Sequence, residues 1–406
     1  MLFDLNRFLI AVSTALDYVE MGVLGASYNH TRRVAYVSLM MGRRLGLTDE
    51  ELFDLVSLAI LHDNGLCEEV LFSKIEFGKM DRLQRMEGFK EHCVIGEDSV
   101  RQYPFLTHPQ NIVKYHHENW DGSGFFGLIE DEIPQPAQIV ALADYVDNRF
   151  HFEEPELSHR REINAFIVEN RDKRFSSDMV SCYLDVSGHT SFWLDLQSPQ
   201  LERVLPENTP VFRNDIPLPD ILELTRVFSR IIDAKSKFTA RHSTGLIEKA
   251  MRMTQYYGFN DERSYLFAIA ASLHDIGKLA IPNSIIEQRS SLTEDQFEVM
   301  KAHTYYTRAI LRQIEGFEYI TEWASNHHEK LNGMGYPYGF AAERLGFEDR
   351  LMTCLDIYQA LTEKRPYREA ASHEAVMEVL NRLAQNGYID ADIVADLDEV
   401  FSRSVI

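Results

Sequence analysis

Cysteine is scarce in this chain: only Cys67, Cys93, Cys182 and Cys354 occur in 406 residues, and none forms a CxxC pair. That spacing argues against a disulfide framework or a thiolate zinc knuckle and fits a reducing compartment, the cytoplasm. Long apolar runs are missing as well. The most apolar early stretch, FLIAVSTAL after Asp4, falls well short of the roughly 20 residues that span a bilayer, so no signal peptide or membrane insertion is expected. Basic charge is also in deficit, with 41 Lys and Arg against 63 Asp and Glu and a formal charge of -22. Polyanions would be repelled at long range, which excludes a broad nucleic-acid footprint; an anionic substrate would need a locally basic site.

What the chain does contain, it contains twice. HHENWDGSGFF begins at His116 and HHEKLNGMGYP at His327. His30 to His62 spans 32 residues, as does His242 to His274, and each second histidine is followed by aspartate: Asp63 and Asp275. His92 and His303 each precede their HH pair by 24 residues, and Asp144 and Asp356 follow His117 and His328 by 27 and 28. One such histidine is usually a packed or solvated residue. A whole set repeated at an offset of 211 or 212, every member able to ligate a metal, points to metal binding.

Helical periodicity surrounds both sets. Thr48 and Glu51 have capping-box spacing before LFDLVSLAILHD, where Leu52, Leu55, Val56 and Ala59 share a face. Leu266, Ile269 and Leu273 repeat the pattern in ERSYLFAIAASLHD, and Thr293 with Gln296 caps the helix expected to carry His303. Strand-like alternation is rare. The reading is all-α: two tandem helical bundles with inward-facing ligands. Prolines cluster in 203–220, which is taken as a linker between a first domain, 1–202, and a second, 221–406. ILELTRVFSRIIDAKSKF then reads as a packed helix leading to His242, with an interdomain or homodimer contact as the lesser reading.

HDIGK at 274–278, HHEKLNGMGYP at 327–337 and EKRPYR at 363–368 resemble the HD-GYP family of HD metal-dependent phosphohydrolases. That resemblance implies an HD-type helical bundle and hydrolysis of a cyclic dinucleotide, with cyclic di-GMP as the default substrate and 3',3'-cyclic GMP-AMP as the alternative, by a hydroxide bridging two divalent ions. By the same resemblance His242, His274, Asp275 and Asp356 hold one ion, and His303, His327 and His328 hold the other, with Asp275 between them. Iron or manganese is favoured, while nickel and zinc suit the same ligands. Lys278, Arg365 and Arg368 would contact substrate phosphates, and Glu329 would orient a ligand histidine. The family often has aspartate in place of Asn332, and some members have a glutamate ligand in place of Phe238, so two ions rather than three are expected.

The first half keeps His30, His62, Asp63, His92, His116, His117 and Asp144 as a second candidate metal set. It has Leu66 where the second half has Lys278, and Glu153, Glu154 and Glu156 stand where arginines would be. Carboxylates there would repel a phosphodiester, so the first domain is expected to be regulatory or structural. Two rival readings stay open: a phosphohydrolase of other nucleotides, and a noncatalytic nucleotide-sensing scaffold.

Overall fold

A computed structural model describes residues 1–23, 27–65, 90–150, 152, 156–234, 242–288, 290–363 and 369–402. Among them, the regular elements are helices apart from one two-stranded antiparallel pair, Leu2–Phe3 against Asn214–Asp215, and two isolated bridges, Arg171 with Phe175 and Asn332 with Ala341. It divides into two compact units, one formed by Asp4–Arg213 and the other by Asn214–Ile406 together with Met1–Phe3. The division lies within the stretch read as a linker, but that stretch is partly structured: residues 203–208 end the helix Ser198–Asn208, and a further helix begins at Leu218. Pro219 is tolerated in the first turn of that helix, where its missing N–H has no intrahelical partner to lose.

In the first unit, helices Leu5–Val23, His30–Leu45, Asp49–Leu61, Lys90–Val100 and Gln135–Phe150 surround the His/Asp set. Thr48 and Glu51 form the expected capping box (3.3 and 2.8 Å), and Leu52, Leu55, Val56 and Ala59 are buried. The corresponding helix of the second unit, Asp261–Leu273, is capped by Asn260, whose side chain accepts the Arg263 N–H. Both helices stop at the same place. His62 and His274 are their C-caps, so each HD pair leaves the helix end and turns into the interior. Thr293 and Gln296 cap the helix Glu294–Leu311, which carries His303, and Asp356 sits on the buried face of Phe347–Thr362.

A glycine sets how closely these elements approach. A Cβ on Gly277 would fall 1.9 Å from the His303 carbonyl, and one on Gly65 would fall 2.1 Å from the His92 carbonyl. The bare backbone lets the turn after each HD pair rest on the helix that supplies the third histidine.

Candidate metal centre

The second unit brings all its expected ligands together. His242 Nε2 lies 3.4 Å from His274 Nε2 and 3.2 Å from Asp356 Oδ1. His303 Nε2 lies 3.4 Å from His327 Nε2, and His328 joins them in one cluster. Asp275 stands between the two groups: Oδ2 is 3.2 Å from His274 Nε2, while Oδ1 is 3.5 Å from His303 and 3.7 Å from His327. These spans test whether cations fit. Ligands about 2.1 Å from a common ion, at 90–110° to one another, lie about 3.0–3.4 Å apart, so the observed spacings suit divalent ions.

The tautomers suit them too. Nδ1 of His274, His303 and His327 faces the carbonyl three residues earlier, at 2.8, 2.7 and 2.6 Å. Donation there leaves each Nε2 lone pair aimed into the cluster, where nitrogen faces nitrogen until a cation separates them. Burial pushes His303 down to about 3 and His328 down to about 4, so both are neutral and competent as ligands at neutral pH. Burial opposes ionisation of Asp275, but the positive charge around it, the Lys278 ammonium included, outweighs burial and holds the carboxylate well below its usual range.

Lys278 lies on the short turn Ile276–Ala280, and its ammonium donates to Asp275 Oδ2. Arg365 and Arg368 lie outside the described residues, as do Leu66, Glu153, Glu154 and Phe238; Glu156 is exposed at the start of the helix Leu157–Glu169. The expectation for Glu329 is corrected. Among the described residues, no hydrogen bond or ion pair joins its carboxylate to a ligand histidine; it accepts the N–H groups of Tyr338 and Phe340 at 2.8 and 3.0 Å, closing the Gly-Tyr-Pro loop back on HHE. Glu118 does the same for Phe126 and Leu128, both at 2.7 Å. The glutamate of HHE thus belongs to the loop, and it places Tyr336 with its ring 4.9 Å from that of His328. Asn332 keeps the turn that an aspartate would make: its Oδ1 accepts the Met334 N–H at 3.1 Å, as Asp121 accepts that of Ser123 at 3.0 Å.

The first unit repeats the geometry. Asp144 Oδ1 lies 3.3 Å from His30 and 3.4 Å from His62. Asp63 faces His62 through Oδ2 at 3.6 Å, and His92 and His116 through Oδ1 at 3.3 and 3.5 Å. His117 Nδ1 is 3.9 Å from Asp144 Oδ2. Several supporting residues escaped sequence reasoning. Asp147 takes His30 Nδ1 at 2.6 Å and is itself held by buried Arg33 at 2.7 and 3.0 Å. In the second unit Gln359 falls at the matching position, and Glu363 faces His242 Nδ1 instead, at 3.4 Å. Asp17 and Asp233 anchor the two leading histidine helices by accepting N–H groups of Thr31 and Ser243, at 2.9 and 3.2 Å.

Two helical units, each folding histidines from separate elements around a shared aspartate, define the class of HD-domain proteins. Residues 27–149 and 226–393 each match the HD domain family, so the chain belongs to it and carries the domain twice; the HD-GYP resemblance of the second half stands. Among relatives, 3'3'-cGAMP-specific phosphodiesterase 1 of Vibrio cholerae is 26% identical over 96% of this chain and 90% of its own length. The V. cholerae 3'3'-cGAMP-specific phosphodiesterase 3 is 27% identical over 93% and 90%. The cyclic di-GMP phosphodiesterase response regulator RpfG of Xanthomonas campestris is 34% identical over 36% of this chain and 37% of its own. The crystal structure of the cyclic GMP-AMP phosphodiesterase V-cGAP3 of V. cholerae shares the fold, with a TM-score of 0.70 at 22% identity over 99% and 98% of the two chains. No helix among the described residues is long and apolar enough to cross a membrane.

Proposed function

We propose that the second unit hydrolyses a phosphodiester bond of a cyclic dinucleotide, with 3',3'-cyclic GMP-AMP preferred over cyclic di-GMP. One observation carries the reading: Asp275 presents one oxygen to each of two histidine clusters, the arrangement needed to hold two cations side by side. His242, His274 and Asp356 would hold one ion, and His303, His327 and His328 the other, with Asp275 shared; iron or manganese suits this mixed set. Bound there, such ions would supply Lewis acidity and a water of lowered pKa. Lys278 would exchange its contact with Asp275 for a nonbridging phosphate oxygen, and Arg365 and Arg368 would clamp the phosphates by paired hydrogen bonds. Tyr336, set over His328 by the Glu329-closed loop, would wall the site.

The preference for cyclic GMP-AMP is supported by coverage. The two V. cholerae relatives that align over almost the whole tandem chain are named for that substrate, whereas the cyclic di-GMP relative RpfG aligns over little more than a third. The first unit supports catalysis rather than performing it, and the protein acts in the cytoplasm, consistent with its few cysteines.

Iron- or manganese-loaded protein is incubated with 3',3'-cyclic GMP-AMP, cyclic di-GMP and simple nucleotides, and products are resolved by chromatography. Cleavage of a cyclic dinucleotide that vanishes in Asp275→Ala and survives in Asp63→Ala is expected. Turnover of mononucleotides alone would identify a different phosphohydrolase, and no turnover at all would leave a binding scaffold. Loss only in Asp63→Ala would reverse the assignment of the units.

A further inference from the structure

The two metal sets differ at one buried position that ligand spacing in the sequence did not mark. Beside His92 stands Cys93, fully buried, and its Sγ is 3.4 Å from His92 Nε2. The donor atoms of His92, Cys93, His116 and His117 all lie within 4.8 Å of one another. Fully buried His116 Nε2 makes no hydrogen bond among the described residues; the nearest carboxylate oxygen, Asp63 Oδ1, is 3.5 Å away. At the matching place in the second unit is Thr304, whose hydroxyl is used up on the Lys301 carbonyl at 2.9 Å. Among the described residues, no cysteine joins the clusters of the second unit.

We infer that Cys93 is a sulfur ligand, so that with His92, His116 and His117 it makes the first unit a nitrogen-and-sulfur site selective for zinc or ferrous iron over manganese. The inference rests on the reading that the first unit holds a metal. Metal–sulfur and metal–nitrogen bonds of about 2.3 and 2.1 Å that span 3.4 Å subtend about 100°, a comfortable ligand angle. Binding converts the thiol to thiolate and sends its proton to solvent. Thiolate is the soft donor that manganese disfavours and that zinc and ferrous iron accept. It also fills the coordination shell. Three imidazoles and the sulfur offer four donors of their own, whereas His303, His327 and His328 offer three in the second unit. A filled shell leaves no place for water or phosphate, which is the mark of a structural metal rather than a catalytic one.

Cobalt serves as the probe, in the full-length chain. Thiolate bound to cobalt(II) gives a near-ultraviolet charge-transfer band that nitrogen and oxygen ligands lack. The band should be present in the parent chain, absent in Cys93→Ser and in Cys93→Thr, which copies the second unit, and retained in Cys67→Ser, Cys182→Ser and Cys354→Ser. In equilibrium competition with a chelator, Cys93→Thr should also bind zinc roughly tenfold or more weakly than the parent, with manganese affinity unchanged. A band that follows Cys67, or no band while cobalt still occupies the first unit, overturns the role of Cys93. Cobalt stoichiometry separates that failure from the broader one: if His92→Ala and Asp63→Ala bind as much cobalt as the parent, the first unit holds no metal and the underlying reading falls.

Discussion

Gly277→Ala tests whether close packing of the HD turn, rather than the ligands alone, keeps the catalytic unit in working geometry. The added methyl would lie 1.9 Å from the His303 carbonyl and 2.7 Å from the Thr307 nitrogen, both backbone atoms that cannot swing aside. Restoring ordinary contact near 3.4 Å requires the turn and the His303 helix to part by about 1.5 Å. The same movement breaks the Gly277 N–H to Thr307 hydroxyl bond of 3.1 Å and draws Asp275 away from His303. Overpacking of this kind costs about 1–3 kcal/mol, or roughly 2–12 °C in the melting temperature of the unit. Displacement of about 1 Å at a reacting centre costs about 10²-fold in rate. The assay pairs thermal unfolding and bound-metal analysis with cyclic dinucleotide turnover, for Gly277→Ala and its twin Gly65→Ala, whose methyl would fall 2.1 Å from the His92 carbonyl. Both variants should lose stability, but only Gly277→Ala should lose turnover. Parent-like turnover in Gly277→Ala, or equal loss in the twin, would refute the argument.

Glu329→Gln removes the charge from an acceptor of two backbone N–H bonds, each worth about 1.5–3 kcal/mol when made to a carboxylate. Turnover should fall as Tyr336 shifts while bound metal stays constant; early metal loss would return Glu329 to a role on a ligand histidine. Arg33→Met strands buried Asp147 against His30 and should destabilise the first unit by about 3–5 kcal/mol in chemical denaturation, with partial recovery in Arg33→Met/Asp147→Leu. No loss in the single variant would show that the pair is not part of what holds His30.

The sequence by itself determined the ligand types, their two-fold repetition and the helices that carry them. These are local matters: the Thr48 and Thr293 caps, and the end of a helix at each HD pair, are set by residues within one or two turns. It also marked the unequal endings of the two HHE runs, which now separate a loop placing Tyr336 from one placing Phe125, whose ring stands 5.1 Å from that of His117. Contacts between residues far apart in the chain were decided only by tertiary packing. Arg33 meets Asp147 across 114 positions, Glu363 rather than Gln359 serves His242, and Met1–Phe3 folds with the second unit beside Asn214–Asp215. Cys93 belongs to this group as well. No spacing rule singles it out, because its nearness to three imidazoles arises from where the helix Lys90–Val100 packs and which way its residues face. Periodicity fixes a residue's face on its own helix, whereas what that face meets is fixed by the packing of the remaining helices.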